Sequence, residues 1–164
     1  AMAAAASDGD VAALDRVLGR LVLTEEGNLE KVLVKLLPLV IDQLKSPTAA
    51  VRNKVMEILS HLNKRIKDQN HVKLPLPELL ILYNRPDVAP MAKNFALVYI
   101  EMAFERAPDK IRAAAVNQLL QGISGRTQQH REMLLRMAFW GLEGHVTPSG
   151  YRSASDAEGA KKDY

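Results

Sequence analysis

The fold prediction depends mainly on residues 29–66, which read LEKVLVKLLPLVIDQLKSPTAAVRNKVMEILSHLNKRI. Each half carries apolar residues at the three- and four-residue spacings of a helix with one buried face. These residues are Leu29, Val32, Leu33, Leu36, Leu37, Val40, Ile41 and Leu44 in the first half, and Val51, Val55, Ile58, Leu59, Leu62 and Ile66 in the second. Ser46 and Pro47 interrupt the pattern, because proline disfavours helix at the residue before it and fits a first helical turn. The stretch therefore predicts two antiparallel helices.

A lone hairpin cannot bury both of its apolar faces, so it needs neighbours built in the same way. Pro38 inside the first helix, Ser46-Pro47 at the turn and Val51-Arg52 at the start of the second helix resemble a HEAT repeat, whose period is about 40 residues. Ser46 stands where HEAT repeats usually carry Asp, which leaves the usual Asp–Arg ladder without its acidic partner at this position. The alternative is an ordinary helical hairpin within a bundle.

The rest of the chain predicts more helices of the same kind. The first is capped by Ser7, Asp8 or Asp10 and runs to about Leu23, and Asn28 caps the next. Later helices are predicted over residues 77–83, from residue 88 or 90 to 106, over 108–123 and over 126–143. The predicted fold is all-α, an α-solenoid of about three HEAT-like helical hairpins plus an N-terminal helix, about seven helices in total. Residues 1–6 form a disordered leader, 7–144 the solenoid domain, and 145–164 a disordered tail or an end introduced by cloning.

If the chain contains repeats, equivalent segments should align with one another in the sequence. Val51-Arg52-Asn53 aligns with Ala92-Lys93-Asn94 and with His130-Arg131-Glu132, at spacings of 41 and 38 residues. Arg52, Lys93 and Arg131 are therefore predicted to occupy equivalent places in three second helices. Their aliphatic stems should lie along the seams between helices, with the charged heads at solvent or at a carbonyl.

The residues present in the sequence exclude most kinds of catalytic, metal-binding and cofactor-binding site. The chain has no cysteine, and its four histidines do not occur in His-Glu-x-x-His spacing, so we expect no metal site and no cofactor. Glycine-rich phosphate loops and a Gly-x-Ser-x-Gly nucleophile elbow are also absent from the sequence, so we expect no catalytic residue, no small-molecule substrate and no enzyme. No apolar run reaches the length of a membrane span. The net charge of +3 is too small to indicate nucleic acid or membrane binding by itself.

The best candidate for partner binding is a basic row on the second helix of the central hairpin. It comprises Lys54, His61, Lys64, Arg65 and Lys67. Helical solenoids bind partners along a face made by one set of helices, so this row is suited to an acidic patch. The alternative is a solvated face stabilised by an i,i+3 pair between Lys54 and Glu57.

Residues 54–67, KVMEILSHLNKRIK, are more specific than a general HEAT pattern. With Leu74-Pro75 and Asn94-Phe95-x-x-x-Tyr99 downstream, they resemble the N-terminal region of the proteasome adaptor and scaffold (proteasome stabiliser) family, over about residues 14–102. The resemblance implies a very long HEAT-repeat α-solenoid that binds the 26S proteasome through its regulatory or core particle, or both. It implies a non-catalytic scaffold of the cytoplasm and nucleus, with this chain at the N-terminal tip.

A different function remains open at this point, a HEAT-like module that binds nucleic acid or tubulin through the basic row. Nucleic acid is disfavoured, because the row has few basic residues and no stacking aromatic residues and the net charge is low. A further expectation concerns the last helix, whose apolar residues cover more than one side. The side chain of Phe139 or Trp140 should be exposed to solvent in this chain and should favour self-association through the C-terminal end. The alternative is that residues 144–164 fold back as a cap.

Overall fold

The computed structural model describes residues 2–143, with side chains from Ser7 onward. It contains seven α-helices and two 3-10 turns, and no strand within the described residues. The helices are α1 (Met2–Leu23), α2 (Glu26–Asp42), α3 (Ala49–Ile66), α4 (Leu76–Asn84), α5 (Pro90–Arg106), α6 (Asp109–Leu120) and α7 (Gln128–Glu143). The 3-10 turns are Gln43–Lys45 and Ile123–Gly125. The predicted all-α, solenoid-like fold with seven helices is confirmed. The predicted tail, residues 145–164, lies outside the described residues.

The central hairpin forms where its apolar pattern predicts it. Its buried residues include Leu29, Leu33 and Leu37 on α2 and Val55 and Leu59 on α3, all from the two predicted stripes. The turn differs in detail, because Thr48 is the N-cap of α3 and Pro47 lies before it, outside the first helical turn.

Helix caps were predicted less well than helix interiors. α1 begins at Met2, so Ser7, Asp8 and Asp10 lie inside it and do not cap it, and the expected leader 2–6 belongs to the helix. The alanines at positions 3–6 favour this extension, because alanine is the best helix former. Asn28 also lies inside a helix, since α2 begins at Glu26 and the Asn28 N–H already donates to the Glu25 carbonyl at 3.0 Å.

The end of α6 and the start of α7 also differ from the prediction. α6 stops at Leu120, because Gly122 adopts the left-handed conformation (φ 64°), which ends a helix. α7 starts at Gln128, two residues later than predicted. The Thr127 hydroxyl accepts from the His130 N–H at 3.3 Å and so satisfies a free amide at the helix start.

The helices pack as pairs in series. α4 packs on α5 and α6 on α7, while α2 contacts α4 and α5, and α3 packs chiefly on α1. The next pair continues the row, since α4 contacts α6 and α5 contacts α7. α6 and α7 lie close together at Gly141, where an added Cβ would lie 2.9 Å from the Arg112 carbonyl oxygen.

Candidate functional site

The predicted basic row lies on one side of α3, and α1 covers part of it. The Lys54 ammonium forms ion pairs with Asp15 of α1 and with Glu57 of α3, each at 2.7 Å. The hydrogen bond to Asp15, and after it that to Glu57, raises the pKa of Lys54. Its charge is therefore met within the chain, and it links α1 to α3.

Arg65 is also engaged within the chain. Its guanidinium donates to the Leu21 carbonyl at 2.5 Å and to the Thr24 carbonyl. The Leu21 carbonyl lies in the last turn of α1 and also accepts the Thr24 N–H at 3.3 Å, and Thr24 is the residue just after the helix. Arg65 therefore caps the C-terminus of α1, where a cation is favoured by the helix dipole, and does not face a partner.

The remaining members of the row differ in exposure. Lys64 and Lys67 are exposed, and neither forms an ion pair within residues 2–143. His61 is half-buried, and its Nε2 has no hydrogen-bond partner there. The five residues therefore do not form one free row. Two exposed lysines remain available on this face.

Arg52, Lys93 and Arg131 occupy the same position in their helices. Their backbone N–H groups donate to Thr48, Ala89 and Thr127, the residue before each helix, at 3.2, 2.9 and 2.9 Å. Each is thus the fourth residue of α3, α5 or α7. Their equivalence in three stacked repeats stays a prediction.

The side chains of these three residues differ. Arg52 donates to the Ser46 carbonyl at 2.7 Å, as predicted for a head that reaches a carbonyl. Lys93 is half-buried, with its ammonium 6.0 Å from the centroid of the Tyr83 ring. Arg131 is exposed, and the position of its aliphatic stem stays a prediction. The neighbouring His130 is half-buried and forms a hydrogen bond to Tyr83.

Sequence reasoning missed two further arginines that cap helix ends. Arg106 donates to the carbonyls of Ile66, Gln69 and Val72 at 3.2, 2.6 and 3.1 Å and so caps α3. Its place at the end of α5, 41 residues after Arg65 at the end of α3, is the sequence signal that would have found it.

The second of these arginines, Arg112 of α6, caps α5. It donates to the carbonyls of Phe104 and Glu105 at 2.8 and 2.7 Å. Its guanidinium carbon also lies 4.0 Å from the centroid of Trp140, so the same side chain links α5, α6 and α7.

A polar cluster joins α4, α5 and α7 around the ring of Tyr83, which is 1% exposed. Tyr83 Oη shares a 3.0 Å hydrogen bond with His130 Nδ1, and the Arg126 guanidinium carbon lies 4.4 Å from the ring centroid. Lys93 approaches the same ring. We call Tyr83, Lys93, Arg126 and His130 the Tyr83 cluster. Burial raises the pKa of Tyr83, and the positive charge of Arg126 opposes that shift.

The described residues show no metal-binding group and one very small apolar cavity, and they also form open surface pockets of about 210, 320 and 310 Å³. No group of three His, Asp or Glu side chains within residues 2–143 is placed to hold a metal ion. The apolar cavity between α1, α2 and α3 measures about 10 Å³, close to the least volume that holds one water. Among residues 2–143, every helix is too short or too polar to cross a membrane.

The comparisons with known proteins agree with the resemblance seen in the sequence. The family described as proteasome component ECM29, N-terminal, matches residues 14–162. The chain is 36% identical over 138 residues to the proteasome adapter and scaffold protein ECM29 of Homo sapiens, across 84% of this chain and 8% of that protein. It is 30% identical over 131 residues to the proteasome-associated protein ECM29 homolog of Drosophila melanogaster, across 79% and 7%. The chain thus spans less than a tenth of these two relatives. No solved structure matches it significantly.

Proposed function

Because the chain belongs to the family of N-terminal regions of the proteasome component ECM29, we propose that it is a non-catalytic scaffold module that binds and stabilises the 26S proteasome. The observation that carries the proposal is the family match over residues 14–162. The relatives are named as an adapter and scaffold and as a proteasome-associated protein, and neither name denotes an enzyme. The proposed place of action is the cytoplasm and nucleus, which a tagged protein followed by cell fractionation tests.

The proposed architecture is three HEAT-like hairpins, α2–α3, α4–α5 and α6–α7, with α1 before them. The shared helix position of Arg52, Lys93 and Arg131 supports a repeat. So does the contact of each hairpin with the next. An experimental structure in which the three hairpins superpose by one repeated right-handed rotation supports this proposal, and three unrelated rotations contradict it.

The surface proposed for proteasome contact on α3 is reduced to Lys64 and Lys67. They are the exposed basic residues of the predicted row, whereas Lys54 and Arg65 are held by α1. This geometry weakens the alternative of nucleic acid or tubulin binding through the whole row. That binding would need several free cations, and its strength would fall steeply with added salt.

Affinity capture with separately purified regulatory and core particles tests the function. Three proteins are immobilised side by side: the full-length protein, a full-length variant with the charge reversals Lys64→Glu and Lys67→Glu, and a version without residues 14–143. Retention of a particle by the full-length protein, reduced in the shortened version, supports a direct contact through this region. If the full-length protein retains neither particle, the proposal is wrong.

Stabilisation is measured separately, as the fraction of 26S particles that remain intact on dilution with and without the protein. An equal fraction in both samples contradicts a stabilising role. Purified tubulin and an oligonucleotide, offered to the same immobilised protein at low salt, test the alternative. Loss of either interaction on charge reversal would favour that alternative.

A further inference from the structure

The Tyr83 cluster brings three basic side chains together around one buried ring. Arg126 lies just before α7, and His130 lies in the first turn of α7. Lys93 is the fourth residue of α5. The Arg126 guanidinium carbon and the Lys93 ammonium approach within 4.4 and 6.0 Å of the same ring centroid. These groups come from separate parts of the chain and meet only in the folded protein.

The cluster contains no acidic partner for these charges. None of Lys93, Arg126 and His130 forms an ion pair with a carboxylate within residues 2–143. The carboxylates nearest in sequence, Asp87 and Glu132, are engaged by Arg85 and Gln128. Partly buried cations are usually paired, so their convergence without an anion is unusual for a purely structural contact.

Burial and the neighbouring positive charges disfavour the charged forms of Lys93 and His130. Burial and then the charge of Arg126 lower the pKa of Lys93, and burial, Arg126 and Lys93 in that order lower the pKa of His130. The first turns of α5 and α7 contain no acidic residue, so their free N–H groups add positive potential to the same edge. The Nε of Arg126 is buried without a hydrogen-bond partner among the described residues.

We infer that the Tyr83 cluster is a docking site for an acidic segment of a partner protein, with partner carboxylates pairing with Lys93 and Arg126. The inference deepens the proposed scaffold function and rests on it, since it names a surface and the chemistry of what binds there. An acidic peptide fits better than nucleic acid, because the Tyr83 ring is buried and two cations approach it, which leaves no aromatic face for a base.

Fluorescence anisotropy with a labelled oligoglutamate peptide at low salt tests the site directly, with no proteasome present. Lys93→Gln removes the charge, and Lys93→Arg retains it. Lys35→Gln makes the same change of net charge at an exposed position of α2, outside the Tyr83 cluster, and is the matched control. We expect Lys93→Gln to weaken binding about tenfold, as for loss of one partly buried charge pair, and Lys35→Gln to change it less than about twofold.

A second measurement does not depend on how well any variant folds. NMR titration of wild-type His130 should show its pKa rising when the peptide is bound, because a carboxylate then offsets the charges of Arg126 and Lys93. An unchanged pKa overturns the inference. So do equal losses in Lys93→Gln and Lys35→Gln, absence of peptide binding at low salt, or tighter binding of an oligonucleotide than of the peptide.

The two proposals can fail separately. Proteasome capture that succeeds while the peptide assay fails would overturn only the acidic-segment site. Peptide binding to the cluster without retention of either proteasome particle by the full-length protein would overturn the proteasome proposal and leave the site in place.

Discussion

The Arg85 guanidinium donates a hydrogen bond of 2.8 Å to the Asp42 carboxylate, which lies 43 positions earlier in the chain. Asp42 ends α2 and is 8% exposed, and it also accepts from Lys45 at 3.0 Å. The pair joins the end of the first hairpin's leading helix to the turn of the second hairpin. An acidic–basic link between hairpins therefore exists here, although Ser46 stands at the position where HEAT repeats usually carry the acid.

Removing the Arg85 side chain should destabilise the protein. Arg85→Ala leaves the nearly buried Asp42 with Lys45 as its one cation among the described residues, and we expect a loss of about 1–2 kcal/mol, since the pair is partly exposed. Asp87→Ala is the control, because Asp87 pairs with the same Arg85 but is exposed. Urea unfolding should show a change below about 0.5 kcal/mol for the control. Equal losses in both would contradict a special role for Asp42.

The close packing of α7 against α6 should require a glycine at position 141. In Gly141→Ala the new Cβ would lie 2.9 Å from both the Arg112 carbonyl oxygen and Val116 Cγ2, so the helices must separate. We expect a loss of about 1–3 kcal/mol in the free energy of unfolding. Gly19→Ala, inside α1 with nothing within 4 Å, should instead stabilise by up to about 1 kcal/mol. A Gly141→Ala protein as stable as the wild type would show that this contact relaxes freely.

Arg106 should contribute more to stability than an exposed arginine. Arg106→Ala leaves the carbonyls of Ile66, Gln69 and Val72 without this donor, which should cost about 1–3 kcal/mol. Arg106→Lys should recover only part of the loss, because an ammonium cannot reproduce the planar fork of donors. Arg131→Ala, at an exposed position, should change stability by less than about 0.5 kcal/mol. Denaturant midpoints for the three variants check this order.

His130 should make the protein less stable in acid. Burial, Arg126 and Lys93 lower its pKa below the usual 6.5, so the unfolded chain takes up the proton first as the pH falls. The stability conferred by neutral His130 is therefore full above about pH 6.5 and is lost as the pH falls from there through the lowered value. Urea midpoints measured from pH 7.5 to 5, values chosen to bracket about 6.5, should decline less in His130→Gln than in the wild type. Parallel declines in the two proteins would show that other groups cause the effect.

The outer face of α7 should drive self-association of this chain. Phe139 is 65% exposed and Trp140 is 40% exposed, with Trp140 also held by Arg112 and Phe104. We expect oligomers that grow with concentration, and Phe139→Gln should suppress them without lowering the melting temperature. Sedimentation equilibrium measures the change. Met56→Gln, at an exposed position of α3, is the matched control. A wild-type chain that stays monomeric at high concentration would contradict the expectation.

The sequence predicted those parts of the fold that local periodicity controls. The stripes of α2 and α3 are buried as expected, because a repeat of 3.6 residues leaves few choices for which face turns inward. The caps were harder to predict. Ser7 and Asn28 are good cap residues, but the alanines before Ser7 extend α1 past it, and α2 begins two residues before Asn28, at Glu26. Gly122 ends α6 by adopting the left-handed conformation. Glycine permits this conformation but does not require it, so the residue type alone does not predict where the helix ends.

The candidate site was less predictable than the fold, because the role of a basic side chain depends on what the chain brings beside it. Lys54 and Arg65 lie on the predicted face of α3, but α1 packs against that face. Lys54 forms an ion pair with α1, and Arg65 donates a hydrogen bond to it. Arg126 and Lys93 are 33 residues apart, and no local pattern indicates that they meet at Tyr83.

The capping of α3 by Arg106 has a consequence for synthesis on the ribosome. The carbonyls at the end of α3 receive this donor from a residue that is added 40 positions after Ile66. At about 5–20 residues per second, that interval lasts roughly two to eight seconds. Arg65 imposes the same order on α1, since it follows Leu21 by 44 positions. In a nascent chain of this protein, the end of α1 therefore lacks its arginine donor until α3 has been made, and the end of α3 lacks its donor until α5 has been made.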